Sequence, residues 1–167
     1  MSSSDKTLKI TRRGAVLGLV TMLAGCGFAP VYGPDGSANT LRNSVQVVAP
    51  ADRFGFHFSG QIAARLGPEQ VARYRLEVEL SQRESALGIT DTRENTRFSI
   101  EGVAKFTLIA SDTAQIVTQG TVRTFTSYSA TSTPVANTAA KRDAEDRLAT
   151  SLADLTISQL LIAVPAS

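Results

Sequence analysis

Cysteine, histidine and tryptophan are nearly absent from this chain of 167 residues. Cys26 is the only cysteine, so no internal disulfide can form, and burial and hydrogen bonding must stabilise the fold. The only histidine, His57, lies among Phe54, Phe56 and Phe58, where a packing or surface role is the commoner one. The sequence also has no Cys/His/carboxylate cluster at metal-ligand spacing, no glycine-rich phosphate loop and no nucleophile elbow. We therefore expect neither a cofactor nor a metal ion, and no enzymatic activity.

Positive charge is concentrated at the N-terminus. Residues 1–25 hold four of the 17 basic residues and one of the 15 acidic residues, which leaves 13 basic and 14 acidic residues in 26–167. A segment so close to neutral gives no reason to expect a nucleic acid as partner. Its 142 residues are the usual size of a single domain with one core.

A short apolar run ends at the lone cysteine. Lys6, Lys9, Arg12 and Arg13 precede ten apolar or small residues at 14–23, and LAGC follows at 23–26. This order of a basic region, a short apolar run and small residues is typical of a signal peptide, and the cysteine after it is typical of a bacterial lipoprotein. The run is too short to span a bilayer, for which about 20 apolar residues are needed. We predict cleavage before Cys26 and acylation of that residue by several fatty chains, which together anchor a protein stably to a membrane.

Two alternatives to this interpretation stay open. The segment could be an ordinary secretory signal, or Cys26 could be a free thiol in a soluble protein. Arg12 and Arg13 before the apolar run also fit a twin-arginine signal loosely, so the export route is undecided.

The lipoprotein interpretation divides the chain into three parts. They are a signal peptide at 1–25, a lipidated flexible tether at 26–43, rich in Gly, Pro, Ala, Ser and Asn, and a single domain at 44–167.

Alternating and helical patterns follow one another in the predicted domain. Residues 44–49 form a short β-branched run, and apolar and polar residues alternate at 73–81, at 98–108 and through the threonine-rich segment 115–128, which predicts four strands. Gly102 interrupts one apolar face and suggests a bulge there. Apolar residues recur every three or four positions at 54–66 and from about Val135 to Ala163, which predicts two helices. The resulting order is β-α-β-β-β-α. We expect an α+β two-layer sandwich, with a mostly antiparallel four-stranded sheet covered on one face by both helices.

A polar segment at 90–97 joins two of the predicted strands. Arginine binds phosphate groups through two parallel hydrogen bonds, so Arg93 and Arg97, with Arg83 and Lys105, are candidates for contact with an anionic lipid headgroup. The alternative is a solvated hairpin tip whose arginines pair locally with Asp91 and Glu94.

The sequence CGFAPVYG at 26–33, directly after the predicted cleavage site, resembles the start of mature LPS-assembly lipoproteins of the LptE family in their alphaproteobacterial form. Residues 74–80 and 97–108 resemble that family's second and third strands, and 127–128 with 139–145 resemble its C-terminal part. The resemblance implies a two-layer αβ fold and a lipoprotein on the periplasmic side of the outer membrane. It also implies a partner, the large β-barrel LptD, whose lumen the lipoprotein occupies while the pair inserts lipopolysaccharide into the outer leaflet.

The resemblance carries over to few individual residues. It assigns lipidation to Cys26, and Gly27 stands where an inner-membrane retention signal commonly has aspartate, which fits outer-membrane sorting under that family's rules. It assigns no residue to lipopolysaccharide binding. Another periplasmic lipid-binding or envelope adaptor lipoprotein remains the alternative function, and a lipid carrier of that kind needs a closed apolar cavity.

Overall fold

The computed structural model describes residues 37–86, 97–131 and 133–164, all of which belong to one compact unit. Cys26 and Arg93 lie outside the described residues. The elements, in chain order, are α1 (Ser37–Leu41), β1 (Val45–Val48), α2 (Arg53–Leu66), β2 (Tyr74–Ala86), β3 (Arg97–Ala110), β4 (Ile116–Ser129) and α3 (Pro134–Ala163).

The strands form one sheet in the order β1-β2-β3-β4. β1 pairs with β2 in parallel, and the β2–β3 and β3–β4 pairs are antiparallel. This arrangement confirms the predicted α+β class, the mostly antiparallel four-stranded sheet and the order β-α-β-β-β-α from β1 onward. The bulge predicted at Gly102 is wrong, because Gly102 pairs in register with both neighbouring strands and the irregularity lies at Leu108 and Ile109 instead.

Gly102 has a packing role. A Cβ atom at this position would lie 3.0 Å from side-chain atoms of both Leu148 and Leu152, so α3 packs closely on the sheet here and both leucines would have to shift to admit a larger residue. The core between the sheet and the two helices is apolar, as the alternating residues of the strands and the periodic apolar residues of the helices predict. Its largest fully buried apolar side chains are Phe58, Leu41, Ile62, Leu76, Ile100, Leu108, Leu148, Leu152 and Leu160.

Helix α2 has a defined beginning and end. The carboxylate of Asp52 accepts a hydrogen bond of 2.7 Å from the backbone N–H of Gly55, which satisfies one of the free donors of the first turn. The helix ends at Gly67, whose φ of 84° is accessible mainly to glycine. Four apolar residues at intervals of four face the core, as the period predicts: Phe54, Phe58, Ile62 and Leu66.

The folded part of the chain begins earlier than the sequence predicts. Residues 26–43 were expected to form a tether, but Ser37–Leu41 is a short helix and Leu41 is fully buried in the core. This helix has only five residues, of which Ala38 and Leu41 are apolar, and so short a segment gives no periodic signal, which explains why the pattern does not reveal it. The predicted signal peptide at 1–25 and residues 26–36 lie outside the described residues.

Substitution of alanine for each of the two glycines inside α2 is expected to change the stability of the fold in opposite directions. A Cβ at Gly55 would overlap the carbonyl oxygen of Pro50, whereas a Cβ at Gly60 would have no neighbour within 4 Å. Gly60→Ala is therefore expected to raise the free energy of unfolding by about 0.5–1 kcal/mol, because glycine weakens a helix interior. Gly55→Ala is expected to lower it by about 1–3 kcal/mol through the steric conflict. Urea denaturation of both variants tests the pair, and two changes of the same sign would contradict it.

Candidate interaction surface

Both long helices pack on one face of the sheet, and no helix within residues 37–86, 97–131 and 133–164 covers the other face. Side chains at even positions of β2 and β3, and at even positions from 118 to 128 of β4, lie on the side of the sheet that faces the helices, and those at odd positions lie on the other side. We call the outward side chains at 75–85, 97–109 and 119–129 the open face. Most of them are polar or charged, because each strand alternates between a buried and a solvated side.

Two ion pairs lie on the open face near β1. Arg75 Nη2 lies 3.0 Å from Glu77 Oε1, and Lys105 Nζ lies 3.8 Å from Glu79 Oε2. The side chains of Lys105 and Glu79 are 65% and 83% exposed, so their attraction contributes little to stability. Such pairs can exchange one polar partner for another without a large loss of folding free energy.

The candidate lipid-binding residues do not form one cluster. Lys105 and Arg97 both lie on the open face, but eight positions of β3 separate them, which corresponds to about 27 Å. Arg83 lies between them, opposite Glu101 in the β2–β3 register. Arg97 is thus the one of these three that lies nearest the β2–β3 connection, where Arg93 occurs in the sequence, and Arg83 lies midway between Arg97 and Lys105.

Phe125 and Arg123 add features that sequence reasoning did not single out. Phe125 is 74% exposed on the open face, although a large apolar side chain would usually be buried. Arg123 is the next outward residue of β4 and lies opposite Val103. An exposed aromatic ring beside an arginine is a composition enriched in protein interfaces. The alternation of residues in β4 could have identified them, since it places both residues on the polar side of the strand.

The open face also has a shallow depression of about 690 Å³ beside β1. It is open to solvent. Polar side chains of three strands line it, with Val48 at its edge: Glu77, Glu79, Lys105, Thr107, Gln119 and Thr121. The surface at this position suits a polar partner more than a buried apolar ligand.

A charged cluster joins β2, β4 and α3 at the end of the sheet farthest from the β3–β4 turn. The hydroxyl of Tyr128 and the ammonium group of Lys141 both donate to the carboxylate of Glu84. The ring of Tyr128 stacks on Phe98, with centroids 5.2 Å apart. The hydrogen bond from Lys141, and then that from Tyr128, lower the pKa of Glu84, while burial and the Glu84 carboxylate raise the pKa of Tyr128 to about 12.

This cluster predicts how stability depends on pH. Because the pKa of Glu84 is lower in the folded state, its contribution is present above the ordinary glutamate pKa and is lost as the pH falls through the folded value. Glu84→Gln is therefore expected to lower the free energy of unfolding at pH 7, by about 1 kcal/mol, and to have a diminishing effect toward pH 3. Chemical denaturation across this range measures it. Glu79→Gln, at an 83% exposed side chain, is the control and is expected to change little; equal effects of the two variants would contradict the prediction.

His57 lies between the two long helices. Its Nε2 is 3.3 Å from Thr150 Oγ1 and its Nδ1 is 3.8 Å from Asp146 Oδ1. The Thr150 hydroxyl donates to the backbone carbonyl of Asp146, and Arg53 donates to the carboxylates of both Glu145 and Asp146 at 2.7 Å. These contacts connect α2 to α3.

Among residues 37–86, 97–131 and 133–164, no group of three or more His, Cys, Asp or Glu side chains is arranged to hold a metal ion. Within the same ranges, no helix combines the length and the apolar character that crossing a membrane requires.

The described part of the chain is thus an α+β two-layer domain in which neither long helix covers the polar sheet face, and this fold occurs in solved bacterial lipoproteins. A protein from Caulobacter crescentus, described provisionally as a lipoprotein, is 22% identical, with a TM-score of 0.63 over 76% of this chain and 94% of that chain. A minor lipoprotein from Acinetobacter baumannii is 14% identical, with a TM-score of 0.52 over 75% of this chain and 98% of that one. Rare lipoprotein B from Shewanella oneidensis is 10% identical, with a TM-score of 0.54 over 70% and 92%. At these identities the likeness establishes the shared fold. No family model and no curated protein matches the sequence.

Proposed function

We propose that this protein is a lipid-anchored lipoprotein of the LptE type on the periplasmic side of the outer membrane. In this proposal it occupies the lumen of an LptD-type β-barrel, supports assembly of that barrel and takes part in lipopolysaccharide insertion into the outer leaflet. Three features support the proposal: the predicted lipoprotein signal ending at Cys26, the resemblance of residues 26–33 to LptE proteins, and a fold that bacterial lipoproteins share.

The observation that carries the proposal is the open face. Both long helices pack on one side of the sheet, which leaves a mixed, polar surface about as long as β3 on the other side. A wide barrel has a polar interior that stays filled with water unless another structure occupies it. A compact domain with a polar sheet face can exchange its solvent contacts for polar contacts with such a wall. The domain acts in this way by filling and supporting the barrel, without catalysis.

Purification of the protein from solubilised outer membranes tests the proposal. The full precursor with a C-terminal tag is expressed in its bacterial host, captured from detergent extracts and analysed by mass spectrometry. We expect a large β-barrel in roughly stoichiometric amount. Recovery of the protein alone, or with inner-membrane components, would overturn the barrel partner. The mass of the captured chain separately reports whether Cys26 is acylated.

The arginines near the β2–β3 connection carry the lipid part of the proposal. Arg93→Ala with Arg97→Ala is expected to reduce binding of purified lipopolysaccharide about 10-fold, because each guanidinium can hold a phosphate through two hydrogen bonds. Lys105→Ala, eight positions from Arg97 along β3, removes one positive charge from the same face and is expected to have a smaller effect. Unchanged binding in the double variant would remove both arginines from the lipid site.

A free lipid carrier is the alternative among periplasmic lipoproteins. Such a protein needs an enclosed apolar cavity. The depressions of about 840 Å³ and 690 Å³ on this domain are open to solvent and are lined partly by charged residues, among them Arg73 and Asp112 in the first and Glu77 and Lys105 in the second. The apolar faces of both long helices are buried in the core and do not line a cavity of this kind. These features favour the barrel partner over the carrier.

A further inference from the structure

Four exposed apolar residues surround one end of the domain. Ile162 is 79% exposed, Val71 and Ile116 are each 60% exposed, and Val117 is 36% exposed. They come from the last turn of α3, the segment before β2 and the start of β4. Val71, Ile116 and Val117 lie at the end of the sheet where β2 begins and β3 ends, since Tyr74 pairs with Ala110 there. The end of α3 lies at the same place, because Val164, two residues after Ile162, lines a depression together with Tyr74 and Val117. We call these four residues the apolar end.

The N-terminal segment reaches the domain at this same end. Ala38 lies with Leu66 and Leu161 around one small depression, at the last turns of α2 and α3. The backbone N–H of Asn43 donates to the carbonyl of Leu66 at 2.8 Å, which connects the start of the domain to the end of α2. Eleven peptide units join Cys26 to Ser37, and their fully extended length is at most about 40 Å.

We propose that, before the domain enters a barrel, the apolar end lies against the lipid headgroup layer of the leaflet that holds the acyl chains of Cys26. This inference rests on the lipid anchor of the proposed function. A short connection to the anchor keeps the end at which it arrives near the membrane, and the four apolar side chains lose contact with water when they enter the headgroup layer. The open face lies along the side of the domain and stays available to a protein partner.

Because the tether holds the domain near the membrane, a small apolar surface is sufficient for membrane contact. Four partly exposed side chains would bind a membrane weakly if the domain were free in solution. A connection of at most about 40 Å confines the domain to a local concentration in the millimolar range or above, so a weak surface is occupied most of the time.

Charge at this end is balanced. Arg42 and Arg73 are exposed near the apolar residues, and so are Glu69 and Asp112. A nearly neutral rim gives little attraction to anionic lipids. The contact we propose is therefore apolar in origin, and it should persist when salt screens surface charges.

The experiment measures the depth of single labels in vesicles. The full precursor carrying Thr113→Cys, in the turn at the apolar end, or Ser85→Cys, toward the other end of β2, is expressed, purified in its lipidated form and labelled with a fluorophore. Each protein is placed in vesicles of phosphatidylethanolamine and phosphatidylglycerol with a nitroxide near the headgroups. We expect at least about 5-fold more quenching at residue 113 than at residue 85, at low and high salt, because interfacial apolar groups enter about 5–10 Å into this layer.

Paired variants separate the apolar contact from the anchor. Ile116→Asp with Ile162→Asp is expected to reduce quenching at residue 113 to the level at residue 85 while the protein stays on the vesicles. Phe56→Asp with Val135→Asp, at sites 81% and 82% exposed, is the matched control and should change nothing. Equal quenching at residues 113 and 85 in anchored protein would overturn the membrane contact alone. Labelling of the unsubstituted chain would mean that Cys26 is a free thiol, which would overturn both the anchor and this surface.

Discussion

Phe58→Ala is expected to lower the free energy of unfolding by about 3–5 kcal/mol, the largest change we predict for a single side chain. Phe58 is fully buried on the inner face of α2. Its removal takes away the transfer free energy of an aromatic ring and leaves a cavity that the surrounding core fills only partly. Guanidinium denaturation followed by circular dichroism measures the change.

Phe56→Ala is the matched control for this prediction. Phe56 lies two positions away in the same helix, but its side chain is 81% exposed. The substitution is expected to change the free energy of unfolding by less than about 0.5 kcal/mol. Similar losses in the two variants would mean that α2 does not present the face assigned to it.

Phe125→Asp combined with Arg123→Glu is expected to have the largest effect on function. Under the proposed function, the barrel recovered with the tagged protein should fall at least about 10-fold, since a central aromatic or arginine residue often contributes more than 1.4 kcal/mol to an interface. Both side chains are on the open face, so the fold should be unaffected. Quantitative mass spectrometry of the captured complex measures the ratio of barrel to lipoprotein.

A control on the helix layer distinguishes a specific surface from a general effect of charge. Phe56→Asp with Arg142→Glu makes the same chemical changes at exposed positions of α2 and α3. It is expected to leave the recovery of the barrel unchanged. If the control lowered recovery as much as the open-face variant, the open face would not be the contact surface.

Periodicity predicts most of this fold because both layers expose one side to water. The alternation of Tyr74, Leu76, Val78 and Leu80 identifies β2, but it stops near Ser81 although the strand continues to Ala86. Beyond Leu80 the side chains on the inner side include Gln82 and Glu84, and both are exposed. The apolar half of the pattern therefore disappears while the backbone pairing with β3 persists.

The candidate site was predictable only in part. A period of two places Arg97 and Lys105 on one side of β3, eight positions apart, but only the strand register places Arg83 on the same side, opposite Glu101. The contact of Glu84 with Lys141 joins residues 57 positions apart, which no local pattern encodes. Sequence periodicity reports which way a side chain points, whereas proximity depends on how the elements pair.

The unequal lengths of β1 and β2 have a consequence for handling the protein. β1 pairs only with residues 74–77, so among the described strands nothing pairs with the other edge of β2 from residue 78 to residue 86. A row of free backbone donors and acceptors is a template for strand addition by another chain. The charged side chains of Glu79, Arg83 and Glu84 along this edge oppose such pairing. Substitutions that neutralise them should promote aggregation of the isolated domain while leaving its core intact.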